Sequence, residues 1–193
     1  MSLTRIALLG TSADPPTCGH QVLLEGLLNR YGRVVTWASD NPKKQHGASL
    51  DLRCTLLKTL VDQINHDRLE LVQELSSPHS ITTLRRAADR WPHQELVFVV
   101  GSDLAEQIPS WKQPEQWLPS CRLAIAPRRG WPLSANSVDQ LQMRGARVDV
   151  LDIEVPASAS SRLRQRPDPT QVPKSVWPLL LKHNLYGLSP SRC

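Results

Sequence analysis

Six short apolar, β-branched runs alternate with segments of helical periodicity from one end of this 193-residue chain to the other, and few folds accommodate that order. The runs cover residues 5–9, 33–38, 69–74, 96–100, 122–126 and 147–153. Residues 19–30, 50–64, 80–91, 137–144 and 172–183 read as helices. In 19–30, Val22, Leu23 and Leu27 fall on one face together with either Leu24 or Leu28. In 50–64, Leu52, Leu56, Leu57, Leu60, Val61 and Ile64 form a second apolar face, and Ser80 is placed to cap the third helix.

Strands that are apolar throughout are buried on both faces, and helices crossing between parallel neighbours provide that cover. The expected architecture is therefore α/β: a Rossmann-like, doubly wound, mostly parallel sheet with helices on both faces. In such sheets ligands bind beyond the carboxyl ends of the strands, near a change in strand order. No internal repeat, heptad pattern or low-complexity segment divides the chain, so one domain over residues 1–188 is expected, with 189–193 as a frayed tail.

The net charge of +5 is dispersed over Lys43-Lys44, Arg85-Arg86, Arg128-Arg129 and 162–166, and the chain holds one Phe and two Tyr. A nucleic-acid surface concentrates charge and interleaves it with aromatics, so a nucleic-acid partner rests on the high isoelectric point alone and is not expected. Scattered Arg and Lys near loops suit small anions. Cys18, Cys54, Cys121 and Cys193 lack C-x-x-C spacing, which favours free thiols over zinc or a disulfide framework. No apolar segment approaches membrane-spanning length, and a cytoplasmic protein without a membrane partner is expected.

Chemistry concentrates where the first strand ends. Gly10-Thr11-Ser12-Ala13-Asp14-Pro15-Pro16-Thr17-Cys18-Gly19-His20 is a small, polar loop opening a helix, and helix-start N–H groups have no intrahelical partner and hold anions. Neither G-x-G-x-x-G nor G-x-x-x-x-G-K-[ST] occurs, which argues against a nicotinamide-dependent dehydrogenase and a P-loop NTPase. A second hydroxyl and arginine cluster, Ser158-Ala159-Ser160-Ser161-Arg162-Leu163-Arg164, lies near the end. Taken singly, each element has an ordinary structural explanation: a Gly-His at a helix start is decorative, a Trp after a strand is core or rim, and paired serines cap a helix. Their joint occurrence in order, at the ends of alternating strands, is what points to a site. His66, His93 and His183 match nothing and read as surface or packing residues, while Glu25 and Asp62 read as solvated helix charges.

Thr17-Cys18-Gly19-His20 fits a [His/Thr]-x-Gly-His pattern, and the whole loop resembles the GGTFDPxHxGH loop of nicotinate mononucleotide adenylyltransferases. Further pieces follow in the same order. Residues 39–46, Ser-Asp-Asn-Pro-Lys-Lys-Gln-His, are similar to that family's Asn-Pro-Pro-His-Lys loop, with Arg53 in the next helix. Gly101-Ser102-Asp103 matches its Gly-x-Asp, Ile108-Pro109-Ser110-Trp111 its aromatic element, and Pro127-Arg128-Arg129-Gly130-Trp131 its Arg-Pro-Gly-Tyr. Ser160-Ser161-Arg162-Leu163-Arg164 resembles the Ile-Ser-Ser-Thr-x-x-Arg signature, and 172–187 the closing helix.

The resemblance implies transfer of AMP from ATP to nicotinate mononucleotide, with Mg²⁺ carried by the ATP phosphates and no metal held by the protein. It implies His20 and Arg164 as catalytic contacts to the phosphates, and an ATP site formed by Gly10, Thr11, Ser12, Thr17, Gly19, Gly101, Asp103, Ser160 and Ser161, with Asp103 on the ribose. Lys44, His46, Arg53, Trp111 and Arg128 would bind the mononucleotide, Trp111 by stacking on the pyridine; Lys44 and His46 are both open for its phosphate. Thr11, Ala13, Thr17, Ala159 and Ser161 depart from the family pattern. Thr11 stands where a glycine is usual, and a backbone needing positive φ or close phosphate approach tolerates Thr poorly. The alternatives are a nicotinamide mononucleotide preference, a phosphopantetheine adenylyltransferase, and a non-catalytic nucleotide-binding regulator of the same fold.

Overall fold

The computed structural model describes residues 5–41, 44–153, 155–156 and 160–188; Pro42, Lys43, Ala159 and the expected tail at 189–193 lie outside the described residues. Six strands form one sheet: β1 (Arg5–Thr11), β2 (Arg33–Ala38), β3 (Leu69–Leu71), β4 (Glu95–Gly101), β5 (Arg122–Ala126) and β6 (Arg147–Val150). Their order is β3-β2-β1-β4-β5-β6, and every pairing is parallel. The order reverses between β1 and β4, which opens a crevice at the carboxyl ends of those two strands.

Each face of the sheet has its own core. Helices α1 (Cys18–Leu28) and α2 (Leu50–Ile64) bury Leu24, Leu27, Leu28, Leu56, Leu57, Leu60 and Val61 against Ala7, Leu9, Val34 and Val97. Val22 is not among the buried residues, so the buried face of α1 is turned slightly from the one its periodicity suggested. The opposite face is covered by α3 (Ser80–Arg90), the short turns α4 (Ser102–Ala105) and α5 (Pro114–Trp117), and α6 (Ala135–Met143). Two short helices, α7 (Ser160–Gln165) and α8 (Trp177–Lys182), follow β6.

Several expected boundaries move for identifiable reasons. The apolar run 69–74 pairs as a strand only to Leu71, because Gln73 turns its side-chain amide onto both the N–H and C=O of Ala38 and replaces the ladder there. Ser80 is the first residue of α3 rather than its cap; His79 occupies the cap position without a side-chain bond. The last expected helix shrinks from 172–183 to Trp177–Lys182, since Pro169–Gln171 forms a tight turn and Val172 leaves it extended. By contrast α2 spans 50–64 as expected, capped by the Ser49 hydroxyl accepting from Leu52 N–H at 3.3 Å.

Candidate active site

The loop leaving β1 is organised around His20, the third residue of α1. The backbone N–H of Thr17 donates to His20 Nδ1 at 3.0 Å, which places the imidazole proton on Nε2. Nε2 lies 2.7 Å from Thr11 Oγ1, and that same hydroxyl accepts from Ala13 N–H at 3.3 Å. Thr11 is the last residue of β1, and among the described residues the positive φ in this loop belongs to Ala13, at 48°. The expectation that Thr11 burdens the backbone is therefore corrected: extended conformation suits Thr, and its hydroxyl holds the imidazole. Gly10 is required for a different reason, because a Cβ there would come within 2.8 Å of the buried Trp37 indole on β2.

Beneath the loop, Arg53 is 1% exposed. Its Nη1 donates to the carbonyls of Ser12 at 2.7 Å and Ser39 at 2.9 Å, and Nε donates to the Ala48 carbonyl at 3.3 Å. This guanidinium fastens the loops after β1 and β2 to α2 from below and does not reach into the cleft. Asp14 is also fully buried: its carboxylate accepts from Gly47 N–H (2.7 Å), Ala48 N–H (3.1 Å) and the Tyr186 hydroxyl (2.7 Å). Arg164 Nη1 donates to the Asp14 carbonyl at 2.8 Å and stands 3.5 Å from its carboxylate. Ser160 at the start of α7 donates to the Pro15 carbonyl at 2.9 Å, so its hydroxyl ties α7 to the loop, while Ser161 is exposed.

The two candidates for the mononucleotide phosphate are separated. Lys44 is exposed, whereas His46 turns inward with Nδ1 3.6 Å from Asp14 Oδ2. His46 Nε2 is buried with no hydrogen-bond partner among the described residues. Burial, reinforced by Arg53, holds the His46 pKa below its ordinary value, so this ring is neutral near pH 7.

Across the crevice, β4 delivers Gly101 and the short α4 delivers Asp103, paired with Arg128 Nη1 at 3.1 Å. A Cβ at Gly101 would collide with the Asp103 carboxylate. The Ser102 hydroxyl accepts from Arg128 N–H at 3.0 Å and donates to the Trp131 carbonyl at 2.7 Å, which fixes the turn carrying Arg128. Trp111 stacks on the buried Trp117 with centroids 6.0 Å apart and an interplanar angle of 28°, and it is itself only partly buried. An indole backed in this way presents one rigid aromatic face.

A cytidylyltransferase-like family model matches residues 8–166. A Synechocystis protein named probable nicotinate-nucleotide adenylyltransferase is 34% identical, covering 94% of this chain and 98% of that protein. The chain belongs to the nicotinate-nucleotide adenylyltransferase family. It is thus similar to a Chlorobaculum tepidum member at 30% identity, covering 95% of this chain and 99% of that one. Its fold also matches the Plasmodium falciparum nicotinic acid mononucleotide adenylyltransferase solved with NaAD, with a TM-score of 0.76 at 18% identity over 96% of this chain and 98% of the other. This adenylyltransferase is a nucleotidyltransferase of NAD biosynthesis, and among its described residues no helix is long and apolar enough to cross a membrane.

Sequence reasoning named His20, Asp103, Arg128 and Arg164 but gave no role to Asp14, Ser102 or Tyr186. Asp14 stands inside the most family-like loop, and that placement was the available signal.

Burial, with added repulsion from Arg128, pushes the His20 pKa from 6.5 down to about 4. The unfolded chain therefore binds the extra proton across this window, and the adenylyltransferase loses stability as pH falls from 6.5 to about 4. Urea unfolding of wild type and His20→Asn through that window is expected to show the wild type losing the more stability of the two. Equal acid sensitivity would contradict a neutral, desolvated imidazole.

Proposed function

We propose that this cleft transfers AMP from ATP to nicotinate mononucleotide, the phosphate oxygen of the mononucleotide attacking the α-phosphorus of ATP as pyrophosphate leaves. The observation that carries the reading is His20 at the sheet's switch point, neutral, with its proton on Nε2, and Arg164 of α7 bonded to the same loop through the Asp14 carbonyl. Such a reaction needs no covalent intermediate; it needs alignment and donors aimed at oxygens where charge develops. On this reading His20 Nε2–H exchanges Thr11 for a phosphate oxygen, and Arg164 adds a second charged donor.

Gly10, Ser12, Thr17, Gly19, Ser160 and Ser161 frame the ATP phosphates, while Gly101 and Asp103 hold its ribose. Trp111 stacks on the pyridine, and Arg128 with Lys44 or His46 takes the mononucleotide phosphate. Arg53, spent on three carbonyls, supports these loops without touching substrate. The free thiols Cys18, Cys54 and Cys121 support a reducing, cytoplasmic setting, and residues 1–188 are taken to act as one unit.

The donor set bears on the metal. Asp14, the carboxylate within the phosphate loop, is already engaged by two N–H groups and a hydroxyl, and among the described residues no group of three His, Cys, Asp or Glu is placed to hold an ion. A divalent ion fits here as a passenger on ATP, and Mg²⁺, suited to phosphate oxygens, would neutralise charge on them. Following label from [α-³²P]ATP tests the proposal: with Mg²⁺ and nicotinate mononucleotide it moves into the dinucleotide, and chelation by EDTA stops it. Label remaining in ATP under both conditions would exclude this acceptor.

A further inference from the structure

The Tyr186 cluster joins three distant chain segments below the cleft. Tyr186 lies in the left-handed region at φ 56°, between Asn184 at φ 50° and Gly187 at φ 76°. A bulky residue rarely adopts that conformation, and it persists only where its surroundings over-determine it. Here the tight turn brings the hydroxyl to 2.7 Å from Asp14 Oδ1. Burial and the bond to Asp14 push the phenol pKa upward, so the hydroxyl remains a donor throughout the working pH range. The other partners of Asp14 are the N–H groups of Gly47 and Ala48 and the side chain of Arg164. The fit is tight: a Cβ on Gly47 would come within 2.8 Å of the Tyr186 ring and 3.0 Å of Arg164 Cδ.

We propose that Tyr186 is a positioning residue for nucleotidyl transfer, its hydroxyl fixing the Asp14 carboxylate that in turn orients Arg164 and the 46–48 backbone. The inference rests on the proposed assignment of Arg164 to the ATP phosphates and of the 44–46 loop to the mononucleotide. Asp14 supplies one rigid hub through which the ATP side and the acceptor side of the cleft are set together. Losing one hydroxyl leaves a lone pair of the buried carboxylate unmatched, and Arg164 and the loop at 46–48 both gain freedom.

Tyr186→Phe keeps the ring and removes only that bond. Steady-state kinetics with Mg-ATP and nicotinate mononucleotide should show kcat lowered about tenfold and KM for the mononucleotide raised, because a misplaced donor costs rate beyond binding. A role in stability alone would lower kcat by the same factor in any background. The informative comparison is therefore the same substitution beside Arg164→Lys, where positioning predicts that most of the tenfold loss disappears. Equal losses in both backgrounds, or wild-type kinetics for Tyr186→Phe, would overturn the inference while leaving the activity standing. An inactive wild type would instead overturn the function and the inference with it. If Tyr186→Phe does not fold, Gly47→Ala, which presses on the same ring and on Arg164, should reproduce the loss; full activity in that variant would likewise overturn it.

Discussion

His20→Ala is expected to lower turnover about 100-fold or more, the usual cost of removing one preorganised donor that faces charge developing in a transition state. The imidazole is suited to that task by two contacts. Thr17 N–H occupies Nδ1 and leaves Nε2–H as the donor, and Thr11 Oγ1 holds the ring in place at 2.7 Å. Burial keeps it neutral, so it donates without carrying a full charge that would have to be desolvated with the ring. The substitution leaves both cores intact, and the far-ultraviolet circular dichroism spectrum should stay native. A variant with wild-type turnover would remove His20 from the chemistry, and one that only weakens ATP binding would make the chain a binder.

Arg53→Met is expected to be the most destabilising single change among the candidate site residues. The side chain is buried, and the carbonyls of Ser12, Ser39 and Ala48 lose their donor together. A buried acceptor left without a partner costs about 1–3 kcal/mol, so a loss of about 3 kcal/mol or more is expected even after partial relaxation. For a chain of this size that lowers Tm by roughly 6–12 °C. Activity should fall as well, because the loops after β1 and β2 lose their common anchor. Arg53→Lys offers one compact ammonium in place of the planar fork and should recover only part of the loss. Thermal unfolding followed by circular dichroism settles it, and a Tm within about 2 °C of wild type would contradict the assignment of Arg53 as an anchor.

Arg53 also shows where the sequence stops being informative. Its position after a family-like loop suggested a substrate contact, but its three carbonyl partners come from residues 12, 39 and 48, and only the folded chain brings those together. The same holds for Asp14 and Tyr186, which are 172 residues apart and share a hydrogen bond. The sheet was legible because parallel strands buried on both faces leave unbroken apolar runs, and their alternation with helices admits few topologies. The end of β3 was not, since Gln73 reads as another residue of a strand until its amide is seen folded back on Ala38. Thr11 looked like a defect when compared with a glycine; at the end of an extended strand it is the partner of His20.

The most direct test of the central claim is the initial rate of pyrophosphate release from Mg-ATP with nicotinate mononucleotide, set beside the rate with nicotinamide mononucleotide on the same preparation of folded protein. Rapid release with the acid, and much slower release with the amide, is the predicted result. Release with neither, or a preference for the amide, would contradict the assignment of this cleft to nicotinate mononucleotide.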